Sequence, residues 1–246
     1  MPYELTEEEW AKLEKLLPKK KMGRPCLDLR RTLSGIKWIL KTGSPWHALP
    51  PKFGNWNSIY HKFRKWCSLG LFERMMKIIN ADKDNSTLLE LDSTFCKVHQ
   101  SACSALKEQA IGSSRDGKNT KIHVLLNERM QLLKVILIGG QIHDSEPALA
   151  LLNGIKLKGK TILADKAYSS EQIRFFIAEH GAFACIPDKA NFKIKHDFDS
   201  ELYKQRNIVE RFFQRIKNYR HVSTRYDKLA LCFLNFVLLA ACVIHF

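Results

Sequence analysis

The sequence lacks the cysteine pairs that are typical of disulfide scaffolds and zinc ribbons. Its seven cysteines are an odd number, and no two of them stand in a Cys-x-x-Cys pair. We therefore expect a protein of a reducing compartment rather than a disulfide-stabilised secreted domain. The first residues also lack the apolar stretch of a signal peptide, so a cytoplasmic location is expected.

Long apolar runs are equally scarce. The longest, residues 229–244, contains Asn235 and is short for a membrane span, so we expect no membrane partner. It predicts a buried helix that either packs on a sheet or forms half of a dimer interface. Hydrophobic residues make up 45% and charged residues 26% of the 246 residues, which argues against a disordered, collagenous or coiled-coil chain.

Acidic residues are few in comparison with basic ones. The chain has 40 Lys and Arg against 25 Asp and Glu, a formal net charge of +15. The excess lies at the two ends, with 16 basic and 7 acidic residues in 1–80 and 8 and 3 in 201–246. Cationic clusters gain free energy by releasing counterions from phosphates, so this asymmetry indicates a nucleic-acid partner. Solvated lysines on a soluble protein of high pI are the alternative.

The first eighty residues predict a small all-α domain. Thr6 and Glu9 have the spacing of a capping box, which starts a helix. Asp28 and Gly43 can begin and end a second helix. Between these two helices, residues 19–25 form a basic linker that is either a flexible spacer or an arm that contacts the DNA backbone.

A third helix is predicted over residues 56–68, where apolar residues recur at helical spacing. Its basic side chains face outward, and we predict DNA contacts for three of them: Lys62, Arg64 and Lys65. A fourth helix, over residues 71–80, is expected to bury Ile78 among its apolar residues. The arrangement is similar to a helix-turn-helix domain, in which an exposed basic helix enters a major groove. An ordinary helical bundle with a basic face is the alternative.

The sequence after residue 85 has the pattern of a β-sheet. Five segments have the length and composition of strands: 86–92, 121–126, 132–138, 161–164 and 182–186. Helices are expected after the third, fourth and fifth of these, and the last helix is long, over residues 200–220. Three strands followed by alternating helices and strands predict an α/β fold, with a mixed sheet flanked by helices.

Carboxylates stand at two of the predicted strand ends. Asp92 ends the first strand and Asp165 follows the fourth, and ligands of open α/β sheets bind at strand ends. A third acid, Glu210, borders the apolar stripe of the long helix, where it can point toward the other two. Three converging carboxylates can hold two divalent metal ions such as Mg²⁺ for phosphoryl transfer. A solvated acid at a strand end is the alternative reading of each aspartate.

An aromatic and two basic residues flank Glu210 in the sequence. Tyr203, Arg206 and Lys217 lie at spacings of −7, −4 and +7 from it, so all four are expected on one face of the long helix. We predict that Arg206 and Lys217 contact phosphates of DNA.

Four further polar residues precede these. Lys118 and Lys121 either contact DNA phosphates or lie on a solvated face. His123 is expected to pack or to form a local hydrogen bond rather than bind a metal. Asp144 is expected to cap a helix, and a position near the metal ions is the alternative.

Four segments together resemble one family, the DDE transposases of bacterial insertion sequences, in the IS4/IS5 superfamily and of the IS5 type. The segments are 43–50, 91–94 together with 112–123, 163–168, and the residues Tyr203, Arg206, Glu210 and Lys217, which match the family's Y-(2)-R-(3)-E-(6)-K signature. The resemblance covers nearly the whole chain.

The resemblance implies an RNase H-like catalytic domain over residues 82–246, preceded by the DNA-binding domain over residues 1–81. Its catalytic triad, and its ligands for two Mg²⁺ or Mn²⁺ ions, would be Asp92, Asp165 and Glu210. Such enzymes cleave DNA at the terminal inverted repeats of their element and join the freed 3′-hydroxyl ends to target DNA.

The resemblance also implies that Tyr203, Arg206 and Lys217 position DNA, and that two or more copies assemble on DNA in the bacterial nucleoid. The chain departs from the family at Asp116, where relatives usually have a small residue. The added negative charge is expected to be mildly unfavourable near DNA. Two alternatives therefore stay open. One is a non-catalytic DNA-binding regulator derived from a transposase, and the other is an RNase H-like nuclease.

Overall fold

The computed structural model describes residues 4–17, 28–81, 86–103, 109–115, 117–189, 192, 196–197, 199–204 and 206–245. The predicted linker at 19–25 and Asp116 lie outside these residues. The chain forms two compact units: a helical unit of residues 1–79, 99–104 and 215–246, and a sheet unit of residues 80–98 and 105–214. The domain boundary predicted between residues 81 and 82 stays a prediction.

The helices and strands follow one another along the chain. The helices are α1 (Glu7–Glu14), α2 (Leu29–Thr42), α3 (Trp56–Ser68), α4 (Leu71–Ala81), α5 (Ala148–Leu152), α6 (Glu171–Glu179), α7 (Ser200–Tyr203), α8 (Ile208–Lys217), α9 (Arg220–Ser223) and α10 (Ala230–Val243). The strands are β1 (Leu88–Val98), β2 (Gly112–Ser114), β3 (Gly117–Asn127), β4 (Leu132–Gly139), β5 (Thr161–Ala164), β6 (Phe183–Cys185) and β7 (Thr224–Arg225).

Local signals begin and end the first helices as predicted. At α1, the Glu9 N–H donates to the Thr6 hydroxyl and the Thr6 N–H donates to the Glu9 carboxylate, which completes the capping box. Asp28 accepts the Arg31 N–H at the start of α2, and Gly43 ends that helix in the left-handed region at φ 66°. The predicted third helix matches α3 residue for residue.

The core of the helical unit is aromatic. Phe63 on α3 and Phe236 on α10 are fully buried, and their ring centroids lie 4.5 Å apart. The apolar run at 229–244 thus forms the predicted buried helix, and it packs on α3 and α9 within its own unit. Across the residues that the structure describes, every helix is too short or too polar to cross a bilayer.

The prediction that Ile78 of α4 is buried is wrong. Ile78 is 52% exposed, because the buried face of α4 is formed by Leu71, Phe72, Met75 and Met76. At 3.6 residues per turn, position 78 falls at the margin of that face rather than within it.

A mixed sheet forms the centre of the sheet unit. Its strands lie in the order β2-β3-β1-β5-β6, and β4 also pairs with β3. β1, β3 and β4 are antiparallel neighbours, whereas β5 is parallel to β1 and β6 is parallel to β5. Buried residues of α5 and α6 pack with those of β1 and β5 on one face. The predicted α/β class is confirmed: the sheet is mixed, helices pack on it, and a helical region precedes it in the chain.

The prediction of one continuous helix over residues 200–220 is wrong. α7 ends at Tyr203 and α8 begins at Ile208. Arg206 lies between them, and its N–H donates to the Tyr203 carbonyl in a turn. The residues from Tyr203 to Lys217 therefore do not share one helical face. The interruption frees the Arg206 side chain to reach β1, and helix propensity cannot predict such a long-range contact.

Candidate active site

Two aspartates lie next to each other on neighbouring strands of the sheet unit, one within β1 and one directly after β5. The parallel register pairs Leu91 of β1 with Ala164 of β5, so Asp92 and Asp165 are the next residues on adjacent strands. Strands of one sheet lie about 4.8 Å apart, which places the two carboxylates side by side. The sequence-based placement of both acids at strand ends agrees for Asp165, whereas β1 continues past Asp92 to Val98.

Backbone hydrogen bonds orient both carboxylates. Asp92 Oδ1 accepts the Ser93 N–H at 2.7 Å. Asp165 Oδ1 accepts the Ala167 N–H, also at 2.7 Å, and so caps the 3-10 turn at Lys166–Tyr168. Each aspartate therefore keeps its second oxygen available for another partner.

Arg206 connects the third acid to this pair. Its Nη1 lies 2.9 Å from Asp92 Oδ2, and its Nη2 lies 3.6 Å from Glu210 Oε1. The Asp92 side chain is 17% exposed and that of Glu210 is 60% exposed. One guanidinium group thus brings a carboxylate from the sheet and a carboxylate from the first turn of α8 into one cluster. The Tyr203 ring lies beside it, with its centroid 5.7 Å from the guanidinium carbon.

The cluster concentrates negative charge. Burial is the main cause that raises the pKa of Asp92 to about 6, and the neighbouring Asp165 carboxylate raises it further. The Ser93 N–H and the Arg206 guanidinium act in the opposite direction. Since these two donors do not offset the burial, a further cation beside Asp92 would stabilise its ionised form.

A fourth acid, Glu90, lies behind the cluster and was not predicted. It is fully buried on β1, and its Oε2 accepts the Val209 N–H of α8 at 2.9 Å. Burial raises the pKa of Glu90 to about 7. The sequence carries a signal that could have found it, because an acid inside the apolar run of residues 88–91 needs a buried partner.

A polar network surrounds Asp144 on the face of β1 opposite to Asp92. Asp144 Oδ1 lies 2.9 Å from the Lys121 ammonium and 3.3 Å from the Ser93 hydroxyl. Lys121 is 6% exposed, so its charge is directed to Asp144 rather than to solvent. His123 forms the expected local hydrogen bond, between its Nδ1 and the Tyr168 hydroxyl at 2.9 Å. Burial lowers the pKa of His123 to about 4, which keeps the ring neutral near pH 7.

The other residues predicted to contact DNA are more accessible. Arg64 and Lys65 on α3 and Lys118 on β3 are exposed, and Lys62 and Lys217 are half-buried. The Arg64 guanidinium lies over the Tyr60 ring, and the Lys62 ammonium lies 5.6 Å from the centroid of Trp66. Among the predicted site residues, the structure brings together Asp92, Asp165, Tyr203, Arg206 and Glu210.

The donors at the cluster suit a divalent cation. Carboxylate oxygens are the hard ligands that Mg²⁺ and Mn²⁺ prefer, and Asp92 and Asp165 supply them from adjacent strands. Within the described ranges, no three His, Cys, Asp or Glu side chains are grouped so as to hold a metal ion. The Arg206 guanidinium pairs with Asp92 and Glu210 instead. The two aspartates therefore fit a metal ion in their donor chemistry, and Arg206 keeps Glu210 nearby.

Two family models match the chain. Residues 5–76 match a family described as "Putative transposase of IS4/5 family", and residues 84–244 match one described as "Transposase DDE domain".

Proteins of similar sequence agree with these matches. The "Putative transposase for insertion sequence element IS6501" of Brucella ovis is 33% identical over 126 residues, which cover 51% of this chain and 96% of that protein. An uncharacterized protein of insertion element IS402 from Burkholderia cepacia is 31% identical over 85 residues, covering 31% of this chain and 58% of that protein.

Among solved structures, a Mos1 transposase paired-end complex with the left transposon end is similar at 11% identity and a TM-score of 0.30. The similarity covers 93% of this chain and 86% of that one.

Proposed function

The chain belongs to the IS4/5 family of DDE transposases, and from this premise we propose that it binds terminal inverted repeats, cleaves the element ends and transfers their 3′-hydroxyl ends to target DNA. The observation that supports this most directly is the register of β1 and β5, which sets Asp92 beside Asp165. Arg206 adds Glu210 to the cluster. We assign the catalytic triad to Asp92, Asp165 and Glu210.

The same three carboxylates are assigned as the ligands of two Mg²⁺ or Mn²⁺ ions. Such ions, when bound, would activate the attacking water or hydroxyl group and stabilise the leaving oxygen of the phosphodiester. Asp92 and Asp165 each direct one oxygen to a backbone N–H, which fixes the orientation of the other. This orientation lowers the cost of arranging the two carboxylates around an ion. At Asp92 an ion would also have to displace the Arg206 guanidinium from Oδ2.

Arg206 serves the triad as a cation and as a donor. Its guanidinium offsets the buried charge of Asp92, and its planar array of N–H groups suits a phosphate. The 3.6 Å pair with Glu210 is weaker than the 2.9 Å pair with Asp92. A DNA phosphate that enters the cluster therefore competes first for the guanidinium nitrogen that faces Glu210.

DNA contacts are assigned to the accessible basic residues and to Tyr203: Lys62, Arg64, Lys65, Lys118, Tyr203, Arg206 and Lys217. Lys121 is less suited to a phosphate than the exposed Lys118, because its ammonium is buried on Asp144. Two DNA ends must be joined in one reaction, so at least two copies of the chain assemble on DNA. Such an assembly acts at the nucleoid, in the bacterial cytoplasm.

The proposal is tested with the purified protein and a labelled duplex that carries the inverted repeats flanking the gene. Wild type, Asp92→Asn and Glu210→Gln are compared in Mg²⁺ and in EDTA. The matched control is Glu201→Gln, which removes an exposed carboxylate of α7 that forms an ion pair with Lys204. We expect metal-dependent nicking at the repeat boundary and joined product in wild type and control, and neither product in the two triad variants.

The other outcomes separate the alternatives. Cleavage that persists in Glu210→Gln would overturn the triad. Cutting without joining, and without preference for the repeats, would identify a nuclease. Tight repeat binding without cleavage by the wild type would identify a regulator, and reversion of Asp116 to Gly would then be the next variant.

A further inference from the structure

Glu90 shares a strand face with the catalytic acid Asp92. Side chains alternate along a strand, so residues two apart point to the same side of the sheet. The neighbours Leu89 and Leu91 belong to the apolar cluster formed with α5 and α6 on the opposite side. Glu90 is therefore directed toward the layer that contains α8, and it is completely covered there.

The partner of Glu90 is the beginning of α8. Its Oε2 accepts the N–H of Val209, the second residue of the helix, at 2.9 Å. The first N–H groups of a helix have no acceptor within it, and a carboxylate is a favourable partner for them. The contact therefore ties one defined point of β1 to one defined point of α8.

Burying the Glu90 carboxylate costs free energy of folding that burying an apolar side chain would not cost. The other oxygen, Oε1, is buried without a hydrogen-bond partner within the described structure. A buried polar group in this condition is destabilising, and an apolar residue could fill the same space. A carboxylate here is thus better explained by what it holds in place than by the stability of the sheet.

We propose that Glu90 is a positioning residue that fixes the distance from Asp92 to Glu210 and Arg206. Glu90 precedes Asp92 by two residues on β1, and its partner Val209 directly precedes Glu210. The hydrogen bond therefore connects the backbone on which one catalytic acid stands to the backbone on which another stands. It also holds the chain next to Arg206, which pairs with both acids. This inference rests on the catalytic triad proposed above.

Two conservative variants separate the reach of the side chain from its charge. Glu90→Gln keeps an oxygen acceptor at the same distance from Val209 and removes the charge. Glu90→Asp keeps the charge and withdraws the acceptor by one methylene group. Because a misplacement of about 1 Å at a reacting centre can cost roughly 100-fold in rate, Glu90→Asp is expected to lose about that factor in single-turnover cleavage. Glu90→Gln is expected to retain most of the wild-type rate.

Three readouts distinguish positioning from simple destabilisation. Binding of the repeat duplex is expected to be unchanged in both variants. The affinity for Mn²⁺, followed by electron paramagnetic resonance on the intact protein, is expected to weaken in Glu90→Asp and to persist in Glu90→Gln. The matched control is Ile177→Ala, which removes a fully buried side chain of α6 in the sheet unit and is expected to lose stability without the same loss of cleavage rate.

The results decide the inference separately from the function. If wild type cleaves and Glu90→Asp cleaves equally well, the positioning role is refuted and the transposase function stands. If Glu90→Gln falls as far as Glu90→Asp, the charge is needed as well as the reach, so reach alone does not explain the role and the inference is also refuted. If wild type itself does not cleave, the proposed function fails. Mn²⁺ affinity and hydrogen exchange of the Val209 amide then still show whether Glu90 orders the start of α8.

Discussion

Glutamine in place of Glu90 is expected to change stability in a pH-dependent way. Burial raises the pKa of this carboxyl from 4.5 to about 7, and the Val209 N–H offsets that effect only in part. Between these two values the folded protein holds a proton that the unfolded chain has lost. The wild type therefore loses stability as the pH rises through this window, whereas the Glu90→Gln variant has no such group to titrate.

The size of the pKa shift bounds the effect. One pKa unit corresponds to 1.36 kcal/mol, so the rise from 4.5 to about 7 corresponds to about 3 kcal/mol at most. Glutamine offers Val209 a neutral acceptor, as the protonated carboxyl does, and the charge assistance of the ionised form is already contained in the pKa shift. Relative to wild type, the variant should therefore gain about 2–3 kcal/mol of unfolding free energy between acidic and mildly alkaline pH.

Urea unfolding followed by far-UV circular dichroism measures this difference at several pH values. Wild type and variant share all their other titrating groups, so those contributions cancel to first order in the difference. The control is Glu201→Gln, which makes the same chemical change at an exposed side chain. A pH-independent difference for Glu90→Gln would falsify the reasoning, because it would mean that the carboxyl titrates near its ordinary pKa.

Three further predictions concern packing, a buried ion pair and DNA. Phe236→Ala should destabilise the helical unit by about 3–5 kcal/mol, because it removes a fully buried ring. Tryptophan fluorescence can follow this, since all five tryptophans lie in the first 66 residues, and the 46%-exposed Leu231→Ala should change little. Asp144→Asn should cost about 3 kcal/mol by leaving the Lys121 ammonium buried and unpaired, and the added change Lys121→Met should restore part of it in urea unfolding. An Asp144→Asn protein as stable as wild type would contradict that pairing. Lys65→Ala should weaken binding to any duplex and reduce the salt slope of the affinity by about one in anisotropy titrations, and an unchanged slope would remove Lys65 from the DNA contacts.

Much of the fold follows from short-range signals in the sequence. The capping box at Thr6, the cap at Asp28 and the left-handed Gly43 act within one helical turn, so they fix helix ends without knowledge of the rest of the chain. β5 was predicted with its bounds because a short apolar run that ends in an acid has few other structures available. The placement of Asp165 directly after a strand followed from that pattern, whereas the prediction that Asp92 ends its strand is wrong, because β1 continues to Val98.

The predictions that failed depend on partners far away in the sequence. The break between α7 and α8 accompanies two contacts, Arg206 with Asp92 over 114 residues and Val209 with Glu90 over 119 residues. Local periodicity continues through the break, so only the tertiary contacts reveal it. In the same way, the pattern of α10 indicated burial but not its partner α3, because an apolar helix can pack against many surfaces.

The helical unit draws its core from both ends of the chain, and this has a consequence for its synthesis. Phe63 leaves the ribosome long before Phe236, the ring against which it packs. At about 5–20 residues per second, the intervening segment takes roughly ten seconds or more to translate. During that interval the nascent chain carries α3 without the helix that closes its core. Only a chain translated through α10 completes the unit proposed to bind DNA, so the order of synthesis limits how early a new molecule can engage a repeat.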